Sequence, residues 1–224
     1  MDSAKVKELY TLEESMAGEW LKGFEYPWEA LKEIGYIIKK LVRHLDLDIY
    51  EKRGEDIWIA RSAVIWPTVS VNGPCIIGER TEVRQCAFIR GNVLVGDDCV
   101  IGNSTELKNV ILFNHVQVPH YNYVGDSILG IKAHLGAGAI TSNVKADRKN
   151  VVVKYGDRRY ETGLRKFGAM LGDHVEVGCN SVLNPGTVVG RWTNIYPLSC
   201  VRGVVPEHSI YKSSEVIVEK RDEA

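Results

Sequence analysis

Between Ile59 and Leu107 an aliphatic residue falls at every sixth position: Ile59, Ile65, Val71, Ile77, Val83, Ile89, Val95, Ile101 and Leu107. Four residues after most of them comes a small or β-branched one: Ala63, Val69, Cys75, Thr81, Ala87, Val93, Cys99 and Thr105. A period of six is neither helical nor the alternation of an ordinary strand. It predicts a solenoid in which each short strand adds one side of a prism and the recurring residue points into a shared column. Gly78, Gly96 and Gly102 are expected at corners that need backbone freedom. The count slips by one residue twice, giving Leu112, Val118, Val124, Leu129, Leu135 and Thr141, then is regular again through Leu171, Val177, Leu183, Val189, Ile195 and Val201. Roughly twenty-one hexads at three per turn make about seven coils.

The flanks lack this period. Residues 1–50 are predicted to form a helical arm, with Thr11 and Glu14 as a capping box and Pro27 opening a helix whose apolar face carries Leu31, Ile34, Ile38 and Leu41. The arm is expected to cover one end of the column, since an open end would expose an edge. The column spans 51–212. It is interrupted at about 144–170, where Val151 to Glu161 alternates around Gly156-Asp157 and predicts a protruding hairpin, ordered by lying against a neighbouring subunit. Residues 213–224 are expected to be a frayed, charged tail.

Composition narrows the picture. A chain of 224 residues with 45 % hydrophobic residues can build one large domain. A net charge of −1 argues against a nucleic-acid-binding surface. The five cysteines form no CxxC pair, and Cys75 and Cys99 sit at small inward positions, so reduced thiols and a cytoplasmic location are expected. The N-terminal stretch has no apolar signal core and no segment reaches membrane-spanning length, so no membrane partner is expected.

Three blocks carry candidate chemistry: Asn103-Ser104-Thr105-Glu106-Leu107-Lys108, His120-Tyr121-Asn122-Tyr123-Val124-Gly125-Asp126, and Gly136-Ala137-Gly138-Ala139-Ile140-Thr141-Ser142-Asn143. Set in hexads, they resemble the acetyltransferase domain of the bifunctional UDP-N-acetylglucosamine pyrophosphorylase/glucosamine-1-phosphate N-acetyltransferases, from about Arg90 to Ile210. The segment Tyr26-Pro27-Trp28-Glu29-Ala30-Leu31 looks like the stretch that joins a nucleotidyltransferase domain to a β-helix in such enzymes. The sequence holds no glycine-rich phosphate loop of that domain, so nucleotidyl transfer by this chain alone is not expected.

The resemblance implies an all-β solenoid, a left-handed parallel β-helix. It also implies an N-acetyltransferase that takes acetyl-CoA as co-substrate and an amino-sugar-1-phosphate as acceptor, glucosamine-1-phosphate or an epimer, working as a homotrimer. His120 falls on the family's general base, and a neutral imidazole suits removal of a proton from an attacking amine near pH 7. Arg90 and Lys108 fall on sugar-phosphate ligands, Tyr123 and Asn143 on sugar contacts. The pocket lysine is Lys149 or Lys166, with Lys166 preferred because it keeps a Lys-Phe pair. Ala137 would lie near the thioester, where an N–H stabilises developing oxyanion charge. Cys179 and Pro197 fall on positions that contact CoA. The sequence departs from the family at His134, where an asparagine is usual, and at Ser214, where an arginine grips the CoA phosphate; Lys212 or Arg202 is left as a replacement cation.

Two other classes compete. A β-helix could be a non-catalytic assembly or regulatory module of a sugar-1-phosphate nucleotidyltransferase system, which the YPWEAL segment favours and the His120 to Asn143 blocks oppose. The zinc carbonic anhydrases of this fold need three metal-binding histidines. His115, His120, His134 and His174 do not match their pattern, and no metal is expected.

Overall fold

The computed structural model describes residues 3–220. Its centre is a left-handed parallel β-helix with three faces. The first stacks Ile57–Ala60, Cys75–Ile77 and Val93–Val95, the second halves of Glu106–Leu112 and Tyr123–Leu129, then Ala169–Leu171, Thr187–Val189 and Val204–Val205. The second is a nine-stranded face running from Val64–Ile65 through Gln117–His120 and His134–Leu135 to Ser209–Ser213, with Val216–Glu219 folded back antiparallel as its last strand. The third carries Ser70–Val71, Phe88–Ile89, Ile140–Thr141, Val182–Leu183 and Cys200–Val201, together with the first halves of the two long strands. The column is therefore longer than the hexad count gave.

The hexad residues build the core. Every one from Ile77 to Val201 is buried, as are the small second residues Cys75, Thr81, Ala87, Val93, Cys99 and Thr105. Burying a Leu, Ile or Val side chain contributes about 1.5–3 kcal/mol, so a stack of this length supplies most of the driving force. The threonines also work as hydrogen-bonding residues: Thr81 Oγ1 donates to the Gly96 carbonyl at 2.8 Å and Thr105 Oγ1 to that of Val118 at 2.9 Å. The two slips are coils one residue short. Cys75 pairs with Val93, eighteen residues on, whereas Val93 pairs with Val110 and Val110 with Ser127, each seventeen on.

The corners differ from expectation. Gly78, Gly96 and Gly102 do not have positive φ; those conformations fall two residues later, at Arg80, Asp98 and Ser104. The glycines are needed because successive coils touch there: a Cβ on Gly78 would lie 2.5 Å from the Gly96 backbone, and one on Gly102 would overlap the Pro119 carbonyl.

The arm is a chain of short helical turns, including Val6–Leu9, Gly18–Leu21, Pro27–Lys32 and Ile34–Leu41. Thr11 makes no cap; its N–H and Oγ1 both donate to Asp173 Oδ2, at 2.7 and 2.8 Å. The arm does not cover an end of the column. It runs along the side, where the Leu31 carbonyl accepts Asn109 Nδ2 at 3.1 Å and the Glu14 carbonyl accepts the Asn114 N–H at 3.0 Å. The ends are covered by antiparallel strands, Tyr50–Gly54 on Ile57–Ala60 and Val216–Glu219 on Ser209–Ser213. The segment expected to fray thus forms a strand through Glu219, because it satisfies an otherwise open edge; residues 221–224 lie outside the described part.

The insertion is a hairpin, Val152–Tyr155 against Arg158–Glu161, turning through Gly156 at φ 57°. It packs on its own chain. Tyr160 sits 5.3 Å from the Tyr26 ring and 6.1 Å from that of Trp28, while Trp28 stacks on Tyr26 at 4.6 Å and meets Phe167 at 5.8 Å. Val151 and Val153 are buried, with Val151 closed against Gly186. Apolar residues on arm, hairpin and column therefore satisfy one another within one molecule.

Candidate active site

One corner of the prism, where the second face turns into the third, gathers the residues expected around the thioester. Each coil turns there through a left-handed residue: Ser104, Tyr121, Gly138, Asn180 and Leu198, at φ 52–71°. Left-handed backbone costs a non-glycine residue about 1–2 kcal/mol. A hydrogen bond between coils offsets it, because each of these N–H groups donates to the carbonyl of the preceding corner. Tyr121 donates to Asn103, Gly138 to His120, Asn180 to Ala137 and Leu198 to Cys179, at 2.8–3.0 Å. His120, Ala137, Cys179 and Pro197 are consequently stacked in four successive coils.

His120 is exposed at this corner. Its backbone is fixed by Asn122, to which the sequence pattern assigns no role. Asn122 Oδ1 accepts the His120 N–H at 3.0 Å, and its Nδ2 donates to the Gly136 and Ala139 carbonyls at 2.9 and 3.0 Å. Among the described residues the Ala137 N–H has no hydrogen-bond acceptor, so a donor is available one coil from the imidazole. The corner therefore sets an exposed imidazole beside a free amide N–H, groups that can act as a proton acceptor and as an oxyanion donor.

Of the residues expected to bind the sugar phosphate, Lys108 and Asn143 meet at Asp126 beyond the other edge of the third face, and Tyr123 joins them through Asn143. This carboxylate is nearly buried, and it accepts Lys108 Nζ at 2.8 Å, Asn109 Nδ2 at 3.0 Å and Asn143 Nδ2. Asn143 also donates to Tyr123 Oη at 3.1 Å. Burial pushes the Tyr123 phenol up, and the nearby Asp126 and Glu106 charges add to this while the Asn143 hydrogen bond opposes it. Arg90 Nη1 donates to Glu106 Oε1 at 2.6 Å. Both expected phosphate ligands thus already hold a carboxylate.

Lys166 is exposed beside the buried Phe167, and neither it nor Lys149 joins this cluster. His134 Nδ1 lies 2.7 Å from Glu176 Oε2 on the second face. Ser214 is exposed in the turn of the C-terminal strand pair, and Lys212 lies over the Tyr196 ring at 5.7 Å. Asp126 was within reach of the repeat arithmetic: it stands seventeen residues after Asn109, one coil on, and next to Gly125, the register partner of Lys108.

The fold and these corners define a hexapeptide-repeat β-helix protein. Residues 71–191 match the family described as GMPPB C-terminal domain, and the chain belongs to that family. Among curated proteins it is 30 % identical over 223 residues to the bifunctional protein GlmU of Methanococcus vannielii, covering 96 % of this chain and 52 % of that protein. It is 34 % identical over 106 residues to the bifunctional sugar-1-phosphate nucleotidylyltransferase/acetyltransferase of Sulfurisphaera tokodaii, covering 47 % and 26 %. The chain spans about half the length or less of these relatives. Among solved structures, the acetyltransferase domain of PglB from Neisseria gonorrhoeae matches at 13 % identity and TM-score 0.40, covering 83 % of this chain and 67 % of that one. Among the described residues no helix is long and apolar enough to cross a membrane.

Proposed function

We propose that this chain transfers an acetyl group from acetyl-CoA to the amine of an amino-sugar-1-phosphate, glucosamine-1-phosphate or an epimer. The observation that carries this reading is the single corner on which His120, Ala137, Cys179 and Pro197 are stacked. His120 takes the proton from the amine as its nitrogen forms a bond to the thioester carbon. The Ala137 N–H donates to the carbonyl oxygen as that oxygen gains charge. Collapse of the tetrahedral adduct breaks the C–S bond, and the CoA thiolate leaves with the proton that His120 accepted. Tyr123 and Asn143 support the acceptor, held in place through Asp126.

Tyr121 and Leu198, 66 % and 79 % exposed, project from the same corner. Large apolar side chains left in water there support a homotrimer with the site between subunits. The cysteines Cys75, Cys86, Cys99, Cys179 and Cys200 are all free, in keeping with a cytoplasmic location. One observation favours the second reading, a non-catalytic assembly or regulatory module: Arg90 and Lys108 are each neutralised by a carboxylate. Incubation with acetyl-CoA and a panel of amino-sugar-1-phosphates, with the acetylated sugar detected by mass, separates the two. Product with one sugar supports transfer; no product from folded protein with any of them favours the module.

A further inference from the structure

A cavity of about 670 Å³ opens between the inserted hairpin and the column. Its column wall is Ser142, Asn184 and Arg202, which follow one another up the third face because Ile140, Val182 and Cys200 are in register. Its hairpin wall presents Lys154 and Arg159, and the segment leading into the hairpin contributes Lys145 and Asp147. Four cations thus face one carboxylate, and that carboxylate belongs to Lys145, whose Nζ lies 3.2 Å from Asp147 Oδ2.

The other three cations share one hollow. Arg80, Arg84, Arg90 and Lys108 each hold a carboxylate. Among the described residues the side chains of Lys154, Arg159 and Arg202 have no hydrogen-bonding or ionic partner. Lys154 and Arg159 are also directly opposite each other in the hairpin register, and like charges placed so repel. A fold that neutralises its phosphate-ligand candidates elsewhere leaves three charges unpaired around one hollow.

We propose that this cavity is an anion site that takes the phosphoryl group of a ligand, with Lys154, Arg159 and Arg202 as its cations. A planar guanidinium from each wall can donate in pairs to phosphate oxygens, while the lysine supplies a point charge. The phosphoryl group can come from a sugar phosphate or from the nucleotide end of CoA. The site concerns binding alone, so it stands or falls apart from acetyl transfer.

The test is calorimetric titration of the full chain with four probes: pyrophosphate, glucosamine-1-phosphate, CoA, and dephospho-CoA, which lacks the 3′-phosphate. The variants are Lys154→Gln, Arg202→Gln and the charge-keeping Arg202→Lys, with Lys52→Gln on the distant first strand as control. Pyrophosphate is expected to bind the wild type and to bind each glutamine variant on the order of tenfold more weakly, the size of one charged contact. Arg202→Lys should recover part of the loss, and the control Lys52→Gln should bind as the wild type does. Weakening confined to the sugar phosphate, or to CoA but not dephospho-CoA, identifies the source and supports the site. Unchanged affinities in both glutamine variants, or no binding of any probe at millimolar concentration, overturn it.

Discussion

Asn122 holds His120. The Asn122 carboxamide accepts the His120 N–H and donates to two carbonyls of the next coil, while only 2 % of the residue meets solvent. The exposed imidazole thus stands on a backbone fixed by one buried amide. Asn122→Ala leaves the Gly136 and Ala139 carbonyls without that donor, and unsatisfied buried groups cost about 1–3 kcal/mol each. The variant should unfold at lower urea and, where it is still folded, turn over acetyl-CoA more slowly with little change in KM for the acceptor. Unaltered turnover would show that Asn122 has no positioning role.

Asp126 is the second fixed point. Removing one partner of a largely buried ion pair costs about 3–5 kcal/mol. Asp126→Asn strips the charge that Lys108 and two amides share, and should lower stability toward the small end of that range, since Lys108 is 25 % exposed at its side chain. Urea unfolding beside the exposed pair variant Glu106→Gln checks this; the Glu106 change should cost far less.

Trp28 joins arm, hairpin and column. It is 3 % exposed between Tyr26 and Phe167, and Trp→Ala in such a place costs about 3–5 kcal/mol. Because Tyr160 packs on the same rings, amide exchange in Trp28→Ala should rise together in residues 27–32 and 152–161. A rise in the arm alone would separate the two elements.

His174 gives the column a pH response. Its ring stacks on Trp192 at 3.7 Å, and burial pushes its pKa down, with Lys132 adding to the effect and Asp173 opposing it. A histidine depressed in the folded state contributes stability that is present above its unfolded value of about 6.5 and is lost as pH falls through the lower folded value. Between pH 7 and 5 the wild type should therefore lose more stability than His174→Gln. Parallel urea midpoints across that range would contradict it.

The hexad residues were legible because their period is the geometry: one inward residue per prism side, buried throughout the regular run from Ile77 to Val201. The coil shortened by one residue after Val93 was equally visible as a slip. The arm's position was not, since it depends on single polar pairs such as Thr11 with Asp173 and Leu31 with Asn109, which have no period. The docking of the hairpin likewise rests on Tyr160 meeting Tyr26 and Trp28, far apart in sequence. In the site, the corner column from His120 to Pro197 follows from repeat spacing. The neutralisation of Lys108 was open to the same arithmetic, through Asp126 beside its register partner Gly125, whereas the pairing of Arg90 with Glu106 needed side-chain directions.

The proposed function rests on the exposed imidazole of His120 as the base for acetyl transfer. It is tested most directly by measuring acetylated product from acetyl-CoA and the accepted amino-sugar-1-phosphate, with wild type and His120→Ala side by side at equal folded concentration. Loss of a general base lowers turnover about 10²–10⁴-fold, and that fall with an unchanged urea midpoint is the result predicted. Equal turnover in the two proteins would contradict it.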